Sequence, residues 1–305
     1  MLPALVKPGQ ILGYITKKAA LESGLPAGLP VIAAAADKAC EVLGTGAISD
    51  NIGHVSFGTA TTFNVTFDRY LEPIPLIPAY PSAFPEKYNL EVQIYRGFWM
   101  VSWFIREFGE KAVLAAKKTG KTPEEVLEEA AREIPPGSQG LVLQPYWSPG
   151  LRFPGVEARG AVVGFCDAHT SAHFYRALIE GIGYGLREGM ERIVKRTGKE
   201  LKLIKASGGG SKSSLALEIT SNIFNLPVVK PKYYEASALG AAMLATAALG
   251  IYPDVKTAVA RMAKDGEKYY PSSSTVKIYD ELYRQVYLNL YPKLRPLYKK
   301  IENIF

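Results

Sequence analysis

Apolar and polar residues alternate almost strictly in two runs, His54-Val55-Ser56-Phe57 and Thr62-Phe63-Asn64-Val65-Thr66-Phe67, separated by Gly58-Thr59-Ala60-Thr61. Period two on both sides of a glycine and hydroxyl turn predicts a hairpin with one face buried. Short apolar runs predict further strands over 30–36, 91–96, 141–143, 160–166, 201–204 and 226–230. Helical spacing predicts helices over 16–23, 38–44, 98–108, 122–133, 170–197, 215–224, 236–249 and 274–298. Thr122-Pro123-Glu124-Glu125 opens one of them with a cap, a first-turn proline and a capping-box acid. The 170–197 helix holds Gly181, Gly183, Gly185 and Gly189, each costing about 0.8–1 kcal/mol against alanine, so another backbone or a ligand is expected close by. The alanine-rich 236–249 helix is expected to lie tight against a sheet. The 274–298 helix carries Tyr279, Tyr283, Tyr287 and Tyr291 four apart, a packing stripe, and is expected to kink at Pro292 and Pro296. Strands alternating with long helices predict an α/β layered sheet rather than a barrel or bundle.

Three places carry candidate chemistry. Lys205-Ala206-Ser207-Gly208-Gly209-Gly210-Ser211-Lys212-Ser213-Ser214 lies between a predicted strand and a predicted helix. Glycines let a backbone approach a phosphate, and a helix start offers free N–H groups; the same residues also make plain turns. The 30–36 strand delivers Asp37 to its carboxyl end, where open α/β sheets place functional groups, and Asp37 can equally cap the helix that follows. The hairpin tip at Gly58-Thr59 has the small residues that wrap a phosphate. A loop with Tyr146, Trp147 and Arg152 reads as a pocket wall or as an aromatic packed beneath prolines. His169 and His173 are four apart, but Thr170 stands where a zinc protease needs glutamate, so no metal site is expected.

Composition narrows the class. Of 305 residues, 48% are apolar and 21% charged, a globular balance. No apolar run is long enough to span a bilayer, and the amino terminus lacks a signal-peptide pattern, so no membrane association and a cytoplasmic location are expected. Two cysteines, Cys40 and Cys166, make no disulfide framework. The formal charge of +7 suits an anionic ligand. The basic residues near the carboxyl end, Lys293, Arg295, Lys299 and Lys300, read as a solvated helix face, so nucleic acid is not expected as a partner.

In order and spacing, the chain resembles the carboxyl-terminal half of the FGGY carbohydrate kinases, the group of xylulokinase, ribulokinase, gluconokinase and glycerol kinase. The resemblance runs through Leu25-Pro26-Ala27-Gly28-Leu29-Pro30-Val31 before Asp37, Ser56-Phe57-Gly58-Thr59, Ala158-Arg159-Gly160-Ala161, and Glu180-Gly181. It continues through Ser207-Gly208-Gly209-Gly210-Ser211-Lys212-Ser213, Asn225-Leu226-Pro227-Val228, and Glu235-Ala236-Ser237-Ala238-Leu239-Gly240. It implies an actin-like, ribonuclease-H-like ATPase fold, a mixed sheet flanked by helices. It implies ATP-dependent phosphorylation of a sugar or polyol hydroxyl, with Asp37 as the base and with ATP and magnesium as cofactors. It puts the nucleotide on Gly58, Thr59, Thr61, Gly208, Gly209, Gly210 and Ser214.

Two departures qualify that reading. The family usually writes Gly-Asp followed by Gln or Asn, whereas Ala36 precedes Asp37 here and Lys38 follows. The family's opening Asp-x-Gly-Thr-like hairpin occurs nowhere in the sequence. Residues 1–50 are therefore expected to be a remnant of an amino-terminal kinase domain, carrying Asp37, and residues 51–305 the ATP-binding domain. A separately encoded amino-terminal half and a homo-oligomer are the expected protein partners. The competing expectation is a non-catalytic ATP-binding module for regulation or assembly.

Overall fold

The computed structural model describes residues 4–150 and 152–304; residues 1–3 of the expected remnant lie outside them. In chain order the elements are β1 (Ile11–Tyr14), α1 (Lys17–Ser23), β2 (Pro30–Ile32), α2 (Asp37–Gly44), β3 (Ile52–Phe57), β4 (Thr61–Phe67), β5 (Tyr80–Pro81) and β6 (Tyr88–Ile94). Then come α3 (Trp99–Phe108), α4 (Glu110–Thr119), α5 (Pro123–Arg132), β7 (Val142–Gln144), β8 (Ala161–Val163), α6 (Ser171–Thr197), β9 (Leu203–Ser207) and α7 (Ser214–Phe224). The rest are β10 (Val228–Pro231), α8 (Ala236–Ala248), α9 (Val255–Met262), β11 (Asp265–Tyr269), α10 (Ser273–Leu282) and α11 (Leu288–Ile304).

Seven strands form one mixed sheet in the order β11-β10-β9-β3-β4-β6-β5. The central β3, β9 and β10 run parallel, and the predicted hairpin β3–β4 and its neighbours are antiparallel. Alternation gives the sheet two unlike faces. Val55, Phe57, Phe63, Val65, Ile204 and Ala206 join α6 and α7 in the main core. Their neighbours His54, Ser56, Thr62, Asn64, Thr66 and Ser207 are buried as well, but on the polar side. In-register pairing of His54 with Asn64, and of Ser56 with both Thr62 and Ser207, gathers the polar residues on one surface.

The glycines of α6 admit protein rather than ligand. A Cβ on Gly181 would lie 2.5 Å from the Leu143 carbonyl oxygen, and one on Gly189 would lie 2.2 Å from Val92. The alanine-rich α8 lies against α2, not against the sheet as expected. A Cβ on Gly240 would stand 2.0 Å from the Cys40 carbonyl oxygen, and one on Gly44 1.9 Å from that of Ala236. Ala39, Cys40, Leu43, Met243 and Leu244 close a second small core there.

The amino-terminal part divides in two. β1 and β2 form their own antiparallel pair, so the expected 30–36 strand is short and stands outside the main sheet. Helix α1 buries no residue. By contrast α2, though before residue 50, shares the second core with α8 and α9. At the other end the departure from α geometry is a π-helical turn at Tyr283–Tyr287, ahead of Pro292 and Pro296. Tyr279, Tyr283 and Tyr287 are buried, each within about 6 Å of the Tyr184 ring, which makes the tyrosine stripe core packing.

Candidate active site

Adjacent parallel strands β3 and β9 end side by side, and each breaks at once into a glycine turn. Crevices at the carboxyl ends of parallel strands are where α/β sheets hold ligands. A cleft of about 730 Å³ is lined by Phe57, Gly58 and Thr59 from one turn and Gly209, Gly210 and Ser213 from the other, with Phe98 and Trp99 at its wall. Gly208 needs to be glycine: its φ is +79°, and a Cβ would meet the Phe57 backbone at 2.8 Å. Around Gly209 a Cβ would find open space, so an anion can reach this backbone.

At two of the expected contacts the hydroxyl is engaged by protein. Thr61 is fully buried, and its hydroxyl accepts from the Phe98 N–H at 3.0 Å; it props the turn from beneath. The helix start after the triple glycine is already served by protein. Glu128 accepts from the Leu215 N–H at 2.8 Å, Ser213 from the Ala216 N–H at 3.0 Å, and the Ser214 hydroxyl bonds Glu128 and Arg132. The Ser214 hydroxyl and these N–H groups of α7 therefore fix the loop; the open backbone is at Gly209, whereas a Cβ on Gly210 would lie 2.3 Å from the Phe98 ring.

Asp37 is the first residue of α2, with Ala36 as its cap. Its carboxylate accepts the Lys38 N–H at 2.7 Å and opens on a second cavity of about 470 Å³, shared with Lys38, Asn64, Ser82, Asn89 and Glu91. Burial pushes the Glu91 carboxyl up, against the hydrogen bond from Asn64. Asn64 and Glu91 come from β4 and β6, and pattern reading passed over them because their strands look like ordinary sheet.

Beneath both turns sits Glu41, a third residue that sequence reasoning missed. Its carboxylate accepts from Ser56 Oγ at 2.9 Å and from Ser207 Oγ at 2.7 Å, and the Lys38 ammonium lies 2.8 Å away. Burial would raise this carboxyl, but His54, Lys38 and the donated hydrogen bonds bring it below its ordinary value. Ser207 spends its one proton on Glu41, so His54 Nε2, 2.7 Å from Ser207 Oγ, is the donor and carries the ring proton. His54 Nδ1 has no partner among the described residues.

Burial drives His54 down to about 4 from an ordinary 6.5. A histidine held neutral stabilises the fold fully above pH 6.5. Between 6.5 and about 4 the unfolded chain binds the extra proton, and stability falls with pH by about 3 kcal/mol in total. We expect the melting temperature to drop steeply over that interval. In His54→Gln, which keeps a donor but cannot titrate, the slope should flatten; an unchanged slope would mean that other groups control it.

The other candidates resolve into structure. Trp147 packs on Trp103 at 5.2 Å and over Gly160, Tyr146 is buried, and neither lines the glycine-turn cleft. Arg152 is exposed. His173 closes a capping box at the start of α6 and reaches Gln139 at 3.1 Å, while His169 Nδ1 accepts from the Cys166 N–H.

Strand, turn and helix together define an α/β domain with the actin-like ATPase fold. The chain belongs to the FGGY family of carbohydrate kinases: the profile of that family's C-terminal domain matches residues 53–249. An uncharacterized sugar kinase of Escherichia coli K12, YgcE, is 32% identical over 292 residues, covering 95% of this chain and 59% of the relative. A xylulose kinase of Staphylococcus epidermidis RP62A is 31% identical over 298 residues, with 97% and 58% covered. The crystal structure of a ligand-bound xylulose kinase from Lactobacillus acidophilus superposes with a TM-score of 0.84 at 26% identity, over 98% of this chain and 59% of that one. The chain thus spans about three-fifths of the length of the relatives it matches.

Proposed function

We propose that this chain is the nucleotide-binding part of a carbohydrate kinase that transfers the γ-phosphoryl group of ATP to a hydroxyl of a sugar or polyol. One observation carries the reading: two glycine turns at the ends of neighbouring parallel strands share a cleft, and Asp37 opens on a second cavity lined by Lys38, whose ammonium lies 3.8 Å from the point a Cβ on Gly58 would occupy. In this reading the backbone at Gly58, Thr59, Gly209 and Gly210 holds the phosphates, and Gly208 sets the loop's direction. Asp37 takes the proton of the attacking hydroxyl. Such transfer needs positioning and charge neutralisation more than covalent chemistry, so one well-placed carboxylate suffices.

Among the described residues no three His, Cys, Asp or Glu side chains converge on a metal position. That donor set fits a magnesium ion carried by the nucleotide's phosphates and by water rather than by a protein cage. When bound, magnesium would neutralise phosphate charge. No helix among the described residues is long and apolar enough to cross a membrane.

The β1–α1–β2 segment presents Leu12, Tyr14, Leu21 and Leu25 to solvent, Leu21 at 89% exposure. This apolar face fits contact with an amino-terminal kinase domain, which would supply the other wall of the sugar pocket, whether joined to this chain or encoded apart. The test is an ATP-consumption assay of the chain, alone and with an amino-terminal kinase half, over pentuloses, polyols and aldonates. ADP release that depends on one acceptor class is the expected result. ATP binding with no acceptor-dependent turnover in any pairing would favour the non-catalytic module.

A further inference from the structure

We propose that Lys38 is a further catalytic residue, a cation that contacts the γ-phosphate of ATP between the nucleotide cleft and the acceptor cavity. The inference rests on the kinase reading. Its basis is where the Lys38 ammonium stands and what holds it there.

Lys38 follows Asp37 in the first turn of α2 and lines the same 470 Å³ cavity. Its Nζ also lies 3.8 Å from the point a Cβ on Gly58 would occupy, and Gly58 lines the 730 Å³ cleft. The ammonium is therefore close to both cavities, lining the one on which Asp37 opens and standing near Gly58 of the other, where it can reach a phosphoryl group moving between them. Two of its donors are committed, to Glu41 Oε2 at 2.8 Å and to Ser56 Oγ at 2.6 Å. An ammonium has three donors, and the side chain keeps 41% of its surface exposed while that of Glu41 keeps only 9%. The lysine is thus the more exposed member of the pair, although Glu41 also borders a smaller cavity of about 250 Å³ beside Gly208 and Gly209.

Glu41 does more than hold the lysine. Through Ser56 and Ser207 the same carboxylate grips the carboxyl ends of β3 and β9, two residues before Gly58 and one before Gly208. One buried group thereby sets the distance between both phosphate turns and the cation. Lysine suits the task as a compact point charge on a flexible stem, and a charge-assisted contact to phosphate is stronger than a neutral hydrogen bond.

The full chain, titrated with ATP and with ADP in magnesium buffer by calorimetry, distinguishes a γ-phosphate contact from a merely structural ion pair. Lys38→Gln should weaken ATP binding about tenfold or more, about 1.4 kcal/mol or above, and leave ADP binding within about twofold. Lys38→Arg should recover most of the ATP affinity. Should Lys38→Gln unfold the chain, Lys38→Arg and Glu41→Gln supply the comparison: the first should keep the ATP-over-ADP preference and the second reduce it. Equal losses for ATP and ADP would assign Lys38 to loop structure alone and overturn the proposal, as would unchanged binding of both. A wild-type chain that binds neither nucleotide would instead overturn the kinase reading, and the inference with it.

Discussion

Asp37→Asn should lower acceptor-dependent ADP formation by about 10²–10⁴-fold, the usual contribution of a positioned general base, while ATP affinity stays within about twofold. Asn has the shape of Asp, and the fold asks little of this carboxylate. Asp37 is exposed, and the Lys38 N–H is its one hydrogen-bond donor among the described residues. The helix cap is the preceding Ala36, so α2 loses no side-chain cap. Its packing comes from Ala39, Cys40 and Leu43 against α8, which the substitution leaves alone. The measurement is steady-state turnover in whichever assembly phosphorylates an acceptor, with nucleotide affinity measured in parallel. A variant that turns over at the wild-type rate would remove Asp37 as the base and direct attention to Glu91 across the same cavity.

The largest effect on stability is expected away from the site, at Glu180. This residue of α6 accepts from the Gly137 N–H at 3.0 Å, Ser138 Oγ at 2.8 Å, Arg176 Nε at 2.8 Å and Tyr279 OH at 2.8 Å. Arg176 in turn donates to the Ala131 carbonyl and to Tyr279. Both charges are buried, the Glu180 side chain at 2% exposure. Removing one leaves the other without compensation, a cost of about 3–5 kcal/mol against a total of about 5–15 kcal/mol for a folded domain. Ser138 and Gln139 also hold positive φ values, 48° and 52°, and Glu180 pins the first of them in place. Glu180→Ala should therefore shift the denaturation midpoint strongly at an unchanged slope. The double variant Arg176→Met with Glu180→Leu should recover much of the loss, because no charge is then buried. A loss under about 1 kcal/mol for Glu180→Ala alone would show that water reaches the cluster.

Local chemistry made parts of the site readable. Gly208 is demanded by its own φ and by the adjacent strand, so glycine in the sequence already signalled the turn. Thr122 and Glu125 form the capping box that their spacing announces. Thr61 and Ser214 were not readable in this way. Whether a hydroxyl meets a ligand or the protein depends on partners far along the chain, Phe98 for one and Glu128 for the other. Elements with weak apolar patterns were missed for a similar reason. Helix α4 buries only Ala112 and Ala116, α9 buries only Ala258 and Val259, and β11 is a charged edge strand, Asp265-Gly266-Glu267-Lys268-Tyr269. None of these segments needs a strong hydrophobic period to hold its place.

The sequence by itself determined the mixed α/β class, the hairpin, the glycine turns and Asp37 at a helix start, because each rests on the period of a strand, the freedom of a glycine or the geometry of a cap. The tertiary structure decided what those pieces face. It turned the polar side of the hairpin inward onto Glu41, set α8 against α2 instead of the sheet, and stood Lys38 close to two cavities. These outcomes depend on residues dozens of positions apart meeting in space, which no local pattern encodes.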